Sequence, residues 1–309
     1  MAGSAADADP IAHDRGQGGP GYVLRPVPRE RQPVLDRLVG ASRRFQVHAL
    51  LEVDVTEPRT RILDADPPVS WTGFVIASVA RAVALHPSVN ARKAGNQILY
   101  FDHVDIGATV ERHWQARTIL DIVVIADADQ KCCSEISEIL HRAKYGPGQH
   151  HRQNGVTGAL VRLPGPLRRT ALRMAATRPG VAATFGPAVG VTSLGMFTRG
   201  WGWAIPVAPL TLITTVGGIV ERPVVRDGRI VARSMLPLTL SFDHAVIDGA
   251  PAARFSETLR SVIETAAAFE KAPLATSRRH AVDPPPDPSP PSPPRRRRGA
   301  DRHGHARSR

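Results

Sequence analysis

"LTLSFDHAVIDGAPAARF", residues 238–255, changes its period in the middle. On its N-terminal side Leu236, Leu238, Leu240 and Phe242 alternate with Pro237, Thr239 and Ser241, the two-residue period of a strand with one buried face. On its C-terminal side Phe255, Leu259, Val262, Ile263 and Ala266 recur at the spacing of one helical face. Pro251 lies near the first position of that helix, where a missing N–H is harmless. The loop between holds His244, Asp248 and Gly249. A side chain at the end of an apolar strand can be desolvated and fixed, which suits His244 to chemistry. The plainer account of the same loop is a helix N-cap made by Asp248, with His244 a satisfied strand-end residue. Both readings stand on these residues, and Gly249 lets the backbone turn into the helix on either. Pro237 predicts that the strand begins at a sheet edge or a bulge.

Working outward, "RPVVRDGRIVARSM" ahead of the strand reads as a hairpin whose Asp227-Gly228 turn takes positive φ. "FQVHALLEVDVT" (45–56) alternates Val47, Ala49, Leu51, Val53 and Val55 on one strand face. "TGFVIASVARAVALHP" (72–87) is an apolar helix stopped by Pro87, and "NQILYF" and "VDIGATV" are further strand signals. "KCCSEISEILHRAKYG" (131–146) reads as an amphipathic helix with Ile136, Ile139 and Leu140 inward. Residues 147–180 carry the weakest pattern, apart from one short basic helix in "PLRRTALRMAATR". Strands and helices mix without a regular beta-alpha-beta rhythm, so the expected fold is an α+β sandwich with a largely antiparallel or mixed sheet.

The chain has 309 residues, 42% of them hydrophobic, enough for a real core, and a formal charge of +12. Between Ala272 and Arg309 nine Arg against three Asp contribute +6, half of the excess. The expected organisation is a disordered leader at 1–20, one domain at 21–271 and a disordered Pro/Arg-rich tail at 272–309. No aromatic residue interleaves Arg295–Arg298 to stack a base, so nucleic acid is not an expected partner. The N-terminus lacks the basic and apolar regions of a signal peptide, and no run is long enough to cross a bilayer. The expected setting is a soluble protein in the cytoplasm, with no membrane contact. Cys132 and Cys133 are adjacent, which excludes a disulfide framework and gives no zinc-ligand spacing.

Other motifs fall away. "GQGGPG" (16–21) matches a dinucleotide-binding pattern but follows no strand, GxSxG is absent, and His150-His151 have no ligand-spaced carboxylates or thiols, so no metal is expected. His103, between Asp102 and Asp105, is a candidate base whose plainer reading is a polar residue at a strand end.

The HxxxDG spacing of His244, Asp248 and Gly249 resembles the active-site motif of the catalytic domain of dihydrolipoamide acyltransferases, the acyl-transferring component of 2-oxo acid dehydrogenase complexes, and of their relative chloramphenicol acetyltransferase. "GVTSLGMF" (190–197), "AIPVAP" (204–209), "TVGGIVERPVVRDGRIVARSMLPLTLSFDH" (215–244) and "DGAPAARF" (248–255) resemble that family in order and spacing. "RLVGASRRFQVHALLEVDVT" and "HPSVNARKAGNQILYFDHVDIGATV" resemble its N-terminal half more loosely, so the likeness spans roughly residues 25 to 268.

The resemblance implies a two-layer sandwich of the chloramphenicol acetyltransferase type and a homotrimer with active sites at subunit interfaces. It implies that His244 is the general base taking the thiol proton of coenzyme A or dihydrolipoamide. A free thiol titrates near pH 8.5 and is mostly protonated at neutral pH, whereas the thiolate is the nucleophile. Thr192 of a neighbouring chain would donate to the tetrahedral oxyanion, with Ser193 the neighbouring candidate on the opposite strand face. Asp248 would fix the loop through an arginine, for which Arg31 and Arg37 are candidates. Trp201 and Trp203 would line the acyl or pantetheine channel or pack the subunit interface. Coenzyme A is the implied co-substrate, with any lipoyl group supplied by another chain. Family members within dehydrogenase complexes carry arginine after the histidine, whereas this chain has Ala245. Two other readings stand beside the acyltransferase: a non-catalytic scaffold or assembly subunit of the same fold, and an anion-binding adaptor working through the basic tail.

Overall fold

The computed structural model describes residues 22, 24, 27, 32–114, 117–146, 164–195, 200 and 202–270. Helices are α1 (Gln32–Ala41), α2 (Thr56–Leu63), α3 (Trp71–Leu85), α4 (Cys133–Tyr145), α5 (Gly165–Ala176), the single turn α6 (Pro179–Ala182) and α7 (Gly249–Glu264). Strands are β1 (Gln46–Asp54), β2 (Ala91–Ala94), β3 (Gln97–Tyr100), β4 (Ile106–Trp114), β5 (Arg117–Ile125), β6 (Val189–Ser193), β7 (Leu212–Val216), β8 (Val220–Arg226) and β9 (Arg229–Asp243).

The main sheet runs β1-β9-β7-β6-β4-β5, with β8 on the first half of β9, while β2 and β3 form a separate hairpin. β6 is parallel to β4 and to β7, and the other pairs are antiparallel. This is the mixed sheet of a two-layer α+β sandwich, as the sequence pattern predicts. Helices α3, α4 and α7 form the second layer, with α3 packed between the other two. The core lies between the layers: Phe74, Ile76 and Val79 of α3 and Phe255, Leu259 and Ile263 of α7 meet Leu236, Leu238, Leu240 and Phe242 of β9. Both apolar stripes read in the sequence are buried, but β9 does not have the single buried face that its alternation predicts: Pro237, Thr239 and Ser241 on the opposite face are buried as well.

Local chemistry explains the element ends. Ser70 accepts the Gly73 amide at 3.1 Å and caps α3, which His86-Pro87 ends. A Cβ on Gly73 would lie 2.2 Å from Ser137 Oγ, so glycine lets α3 approach α4. Asp227 (φ 51) and Gly228 (φ 73) make the expected hairpin turn between β8 and β9. Cys133 is buried and its thiol donates to the Ala268 carbonyl at 2.8 Å; burial pushes that thiol up to about 12. Arg92 is also buried, donates to the carbonyls of Ala182, Gly186 and Pro187, and so straps the β2–β3 hairpin to the approach to β6.

Three expectations need correction. Val47 is 38% exposed and does not reach the core, whereas Ala49 packs against it half-buried and Leu51, Val53 and the following Val55 are buried in it. Pro237 lies inside β9, not at its start, because one strand serves two partners on the same side. Val216 pairs with Leu238 and Val220 with Met235, and Pro237 falls at the junction, accepting from the Gly217 amide at 2.9 Å. Its missing N–H falls where the ladder changes hands. Gly249 is the first residue of α7, lies outside the left-handed region, and a Cβ there would meet nothing within 4 Å, so the turn does not depend on glycine. Among the described residues no helix is long and apolar enough to cross a membrane.

Candidate functional site

β9 carries the chain to His244, and the residue before it holds the loop. Asp243 is buried, with its carboxylate closed on the Arg44 guanidinium. Its other oxygen accepts the Ala245 amide at 3.1 Å, and its carbonyl accepts the amides of Val246 and Ile247 at 2.9 and 3.0 Å. The His244 amide donates to the Phe45 carbonyl at 2.7 Å, and Ile247 is sunk into the core. The backbone of the loop is thus fixed on both sides of the histidine, while the imidazole remains 46% exposed.

Asp248 does not play the part implied for it. Its side chain is 83% exposed and stands 3.8 Å from His244 Nδ1, beyond hydrogen-bond reach. No arginine pairs with it among the described residues; Arg37 is exposed, and Arg31 lies outside them. Nor does it cap α7 through its side chain, although it has N-cap dihedrals, φ −79 and ψ 167. The aspartate–arginine pair that secures this loop is Asp243 with Arg44. Its signal in the sequence is a carboxylate at the outward phase of an otherwise uncharged strand end. Only the register, with Gln46 opposite Asp243, puts Arg44 within reach.

β6 supplies Thr192 and Ser193, whose alternation puts them on opposite faces of the sheet, as expected. Thr192 Oγ1 accepts a hydrogen bond from Thr109 Oγ1 of β4 at 2.7 Å, a partner the motif did not signal. Within one chain Thr192 and His244 are far apart. Thr192 pairs with Thr215 and Thr215 with Thr239, so Thr192 is level with Thr239, five residues before His244 and two strands away. At roughly 3.4 Å per residue and about 4.8 Å per strand, the separation is on the order of 20 Å.

Residues 203–208 lie against the edge strand β1. Trp203 Nε1 donates to the Leu51 carbonyl at 3.0 Å, and Gln46 Nε2 donates to the Ala208 carbonyl at 3.0 Å. Phe45, Leu50, Ile205 and Val207 expose apolar side chains, and the Phe45 carbonyl accepts the His244 amide, which puts Phe45 beside the loop. Trp201, His150 and His151 lie outside the described residues. His103 is tied at 2.7 Å to Asp127, whose amide in turn donates to Asp105. The bond to Asp127, and then its charge, raise the His103 pKa. That pair joins two turns and has no part in the His244 loop. Among the described residues no group of three His, Cys, Asp or Glu is placed to hold a metal.

The family model for the 2-oxoacid dehydrogenases acyltransferase catalytic domain matches residues 39–159 and 167–270. The dihydrolipoyllysine-residue acetyltransferase component of the acetoin cleaving system of Bacillus subtilis is 24% identical over 270 residues, covering 85% of this chain and 59% of its own length. The lipoamide acyltransferase component of the branched-chain alpha-keto acid dehydrogenase complex of Pseudomonas putida is 27% identical over 263 residues, covering 81% and 55%. A succinyltransferase component of the 2-oxoglutarate dehydrogenase complex from Saccharomyces cerevisiae matches over 32% of its length, so the chain spans about a third to three-fifths of such relatives. Among solved structures, a probable dihydrolipoamide acetyltransferase from Listeria monocytogenes superposes with a TM-score of 0.58 at 23% identity, covering 83% of this chain and 98% of that one. The cubic core of a pyruvate dehydrogenase multienzyme complex gives 0.57 at 22%, covering 80% and 93%. With the matched segments spanning both the β1 half and the His244 half of one continuous sheet, the chain belongs to the family of 2-oxoacid dehydrogenase acyltransferase catalytic domains.

Proposed function

We propose that this chain is an acyltransferase that moves an acyl group between coenzyme A and a thiol of the dihydrolipoamide type, free or carried on a lipoyl-bearing protein. The observation that carries the reading is the His244 loop, with its backbone pinned through Asp243 and Arg44 and its imidazole left open to a ligand. Nδ1 faces Asp248 at 3.8 Å, leaving Nε2 to take the proton from the acceptor thiol. The thiolate attacks the thioester carbonyl, and the Thr192 hydroxyl donates to the resulting oxyanion. Collapse expels the thiolate of the donor, which takes back the proton from the imidazolium.

His244 and Thr192 of one chain are too far apart for this, so the site is completed by a second copy that brings its Thr192 to this His244. The exposed apolar side chain of Phe45 beside the loop, with Leu50 exposed further along the same edge strand, supports a subunit contact on this side of the sheet. A homotrimer with three such contacts is the assembly proposed.

The test is thiol release by the purified protein from acetyl-, propionyl- and branched-chain acyl-coenzyme A, with and without dihydrolipoamide, compared with His244→Ala. Turnover abolished by the substitution supports the reading. Failure of the assembled protein to turn over any pair counts against it. It favours instead a non-catalytic assembly subunit of the same fold, for which the exposed Asp248 is the specific observation.

A further inference from the structure

Thr192 stands in a row of hydroxyls. Register aligns Thr192 of β6 with Thr215 of β7 and Thr215 with Thr239 of β9. The parallel pairing of β4 with β6 runs in register up to Ala108 and Val191, which places Thr109 next in line beside Thr192. Strand alternation puts all four on the face opposite the buried Ala108, Val191, Val216 and Leu238.

The four are not equivalent. Thr215 and Thr239 are buried, 2% and 1% exposed, and neither hydroxyl has a hydrogen-bond partner among the described residues. Thr109 is committed, donating to Thr192 Oγ1 at 2.7 Å. A hydroxyl has one hydrogen to give and two lone pairs to receive with. Once Thr192 accepts from Thr109, its own hydrogen cannot return along that bond and is directed elsewhere. A hydroxyl that accepts one bond is also the stronger donor in its next.

We propose that Thr109 is a positioning residue for the reaction: by occupying a lone pair of the Thr192 oxygen it leaves that hydroxyl as a donor for the oxyanion. This inference rests on the reading of Thr192 as the oxyanion donor. Thr109 does not touch the reacting atoms. Its contribution appears in the chemical step and not in ground-state affinity, because the bond it strengthens is made in the transition state.

The experiment measures kcat and KM for acyl-coenzyme A in the intact oligomer, with thermal melting as the fold check. Thr192→Val is expected to lower kcat about 100-fold. Thr109→Val is expected to lower kcat about tenfold, the scale of one neutral hydrogen bond, with KM within about twofold. Thr109→Ala is read the same way, so that a packing effect of valine is not mistaken for loss of the hydroxyl. Thr109→Ser is expected to restore kcat, and Thr109→Val should add nothing in a Thr192→Val background. If Thr192→Val lowers kcat and Thr109→Val does not, the inference falls and the reading of Thr192 stands. If Thr192→Val leaves kcat unchanged, that reading falls and takes the inference with it. A kcat loss that serine does not rescue, or that adds to the Thr192→Val loss, overturns the inference in favour of a structural role.

Discussion

The Arg44 guanidinium closes on the Asp243 carboxylate directly beneath the loop that presents His244. Asp243 is 3% exposed at its side chain and Arg44 23%, so the pair is largely withdrawn from water, and the same carboxylate receives the Ala245 amide. One residue ties the last position of β9, the loop and the lead into β1 together.

Breaking that tie should therefore cost more than an exposed ion pair does. Arg44→Met leaves a buried carboxylate without its cation and is expected to destabilise the fold by about 1–3 kcal/mol. Loss of activity should exceed the loss of folded protein, since the loop relaxes even where the sheet survives. Chemical denaturation alongside thiol release checks both. Asp248→Asn, by contrast, should leave the denaturation midpoint unchanged, because the Asp248 side chain is exposed and without an arginine partner among the described residues.

The distance between His244 and Thr192 makes a prediction about mixtures. His244→Ala and Thr192→Val oligomers should each be nearly inactive. Oligomers assembled from both chains together should regain activity, because some interfaces then join an intact histidine to an intact threonine. Co-refolding the two variants and assaying the mixture checks this, and a mixture no more active than its parts would place the complete site within one chain.

Acid should loosen the contact between α1 and α5. Asp36 bonds to Arg168 Nε and, at 3.0 Å, to Arg169 Nε. Burial alone would raise its carboxyl, but the bonds and charges of the two arginines outweigh burial and hold it below the ordinary 3.8. A carboxyl with a depressed folded pKa adds stability above its unfolded value, and that contribution is lost as pH falls through the folded value. Melting temperatures followed from neutral pH to about pH 2 should show Asp36→Asn closing on the unsubstituted protein at the acid end.

The two adjacent cysteines should react differently. Cys132 is partly exposed, whereas Cys133 is buried, donates to Ala268 and has its thiol pushed up to about 12, well above the usual range. A thiol-specific reagent should label Cys132 in the native protein and reach Cys133 only on unfolding. Mass spectrometry of the labelled peptide checks the order.

Much of the fold is legible because periodicity is a local property. The stripe Phe255, Leu259, Val262, Ile263 announces the buried helix face and Asp227-Gly228 announces its own turn, while the alternation Leu236 to Phe242 announces a strand but not that its polar face is buried too. What a strand pairs with is not local. Pro237 looks like a strand start until β7 and β8 are seen to share one side of β9, and Val47 looks inward until β1 is seen to sit at the sheet edge. The site follows the same division. His244 and Thr192 are recognisable within short motifs, while the partners that discipline them, Arg44 and Thr109, come from strands or strand leads distant in sequence.

The pairing of β1 with β9 has a consequence for how the protein is made. His48 Nδ1 and Ser241 Oγ lie 2.8 Å apart but are separated by 193 positions in the chain. During synthesis Leu51 and Val53 emerge long before Leu236 and Leu238, the strand residues they will lie beside. Such non-local pairing is slow and leaves apolar surface waiting for its partner. The strand that completes the sheet is the one that delivers His244, so assembly of the core and arrival of the candidate base are a single, late event. A nascent or truncated polypeptide ending before Asp243 has neither.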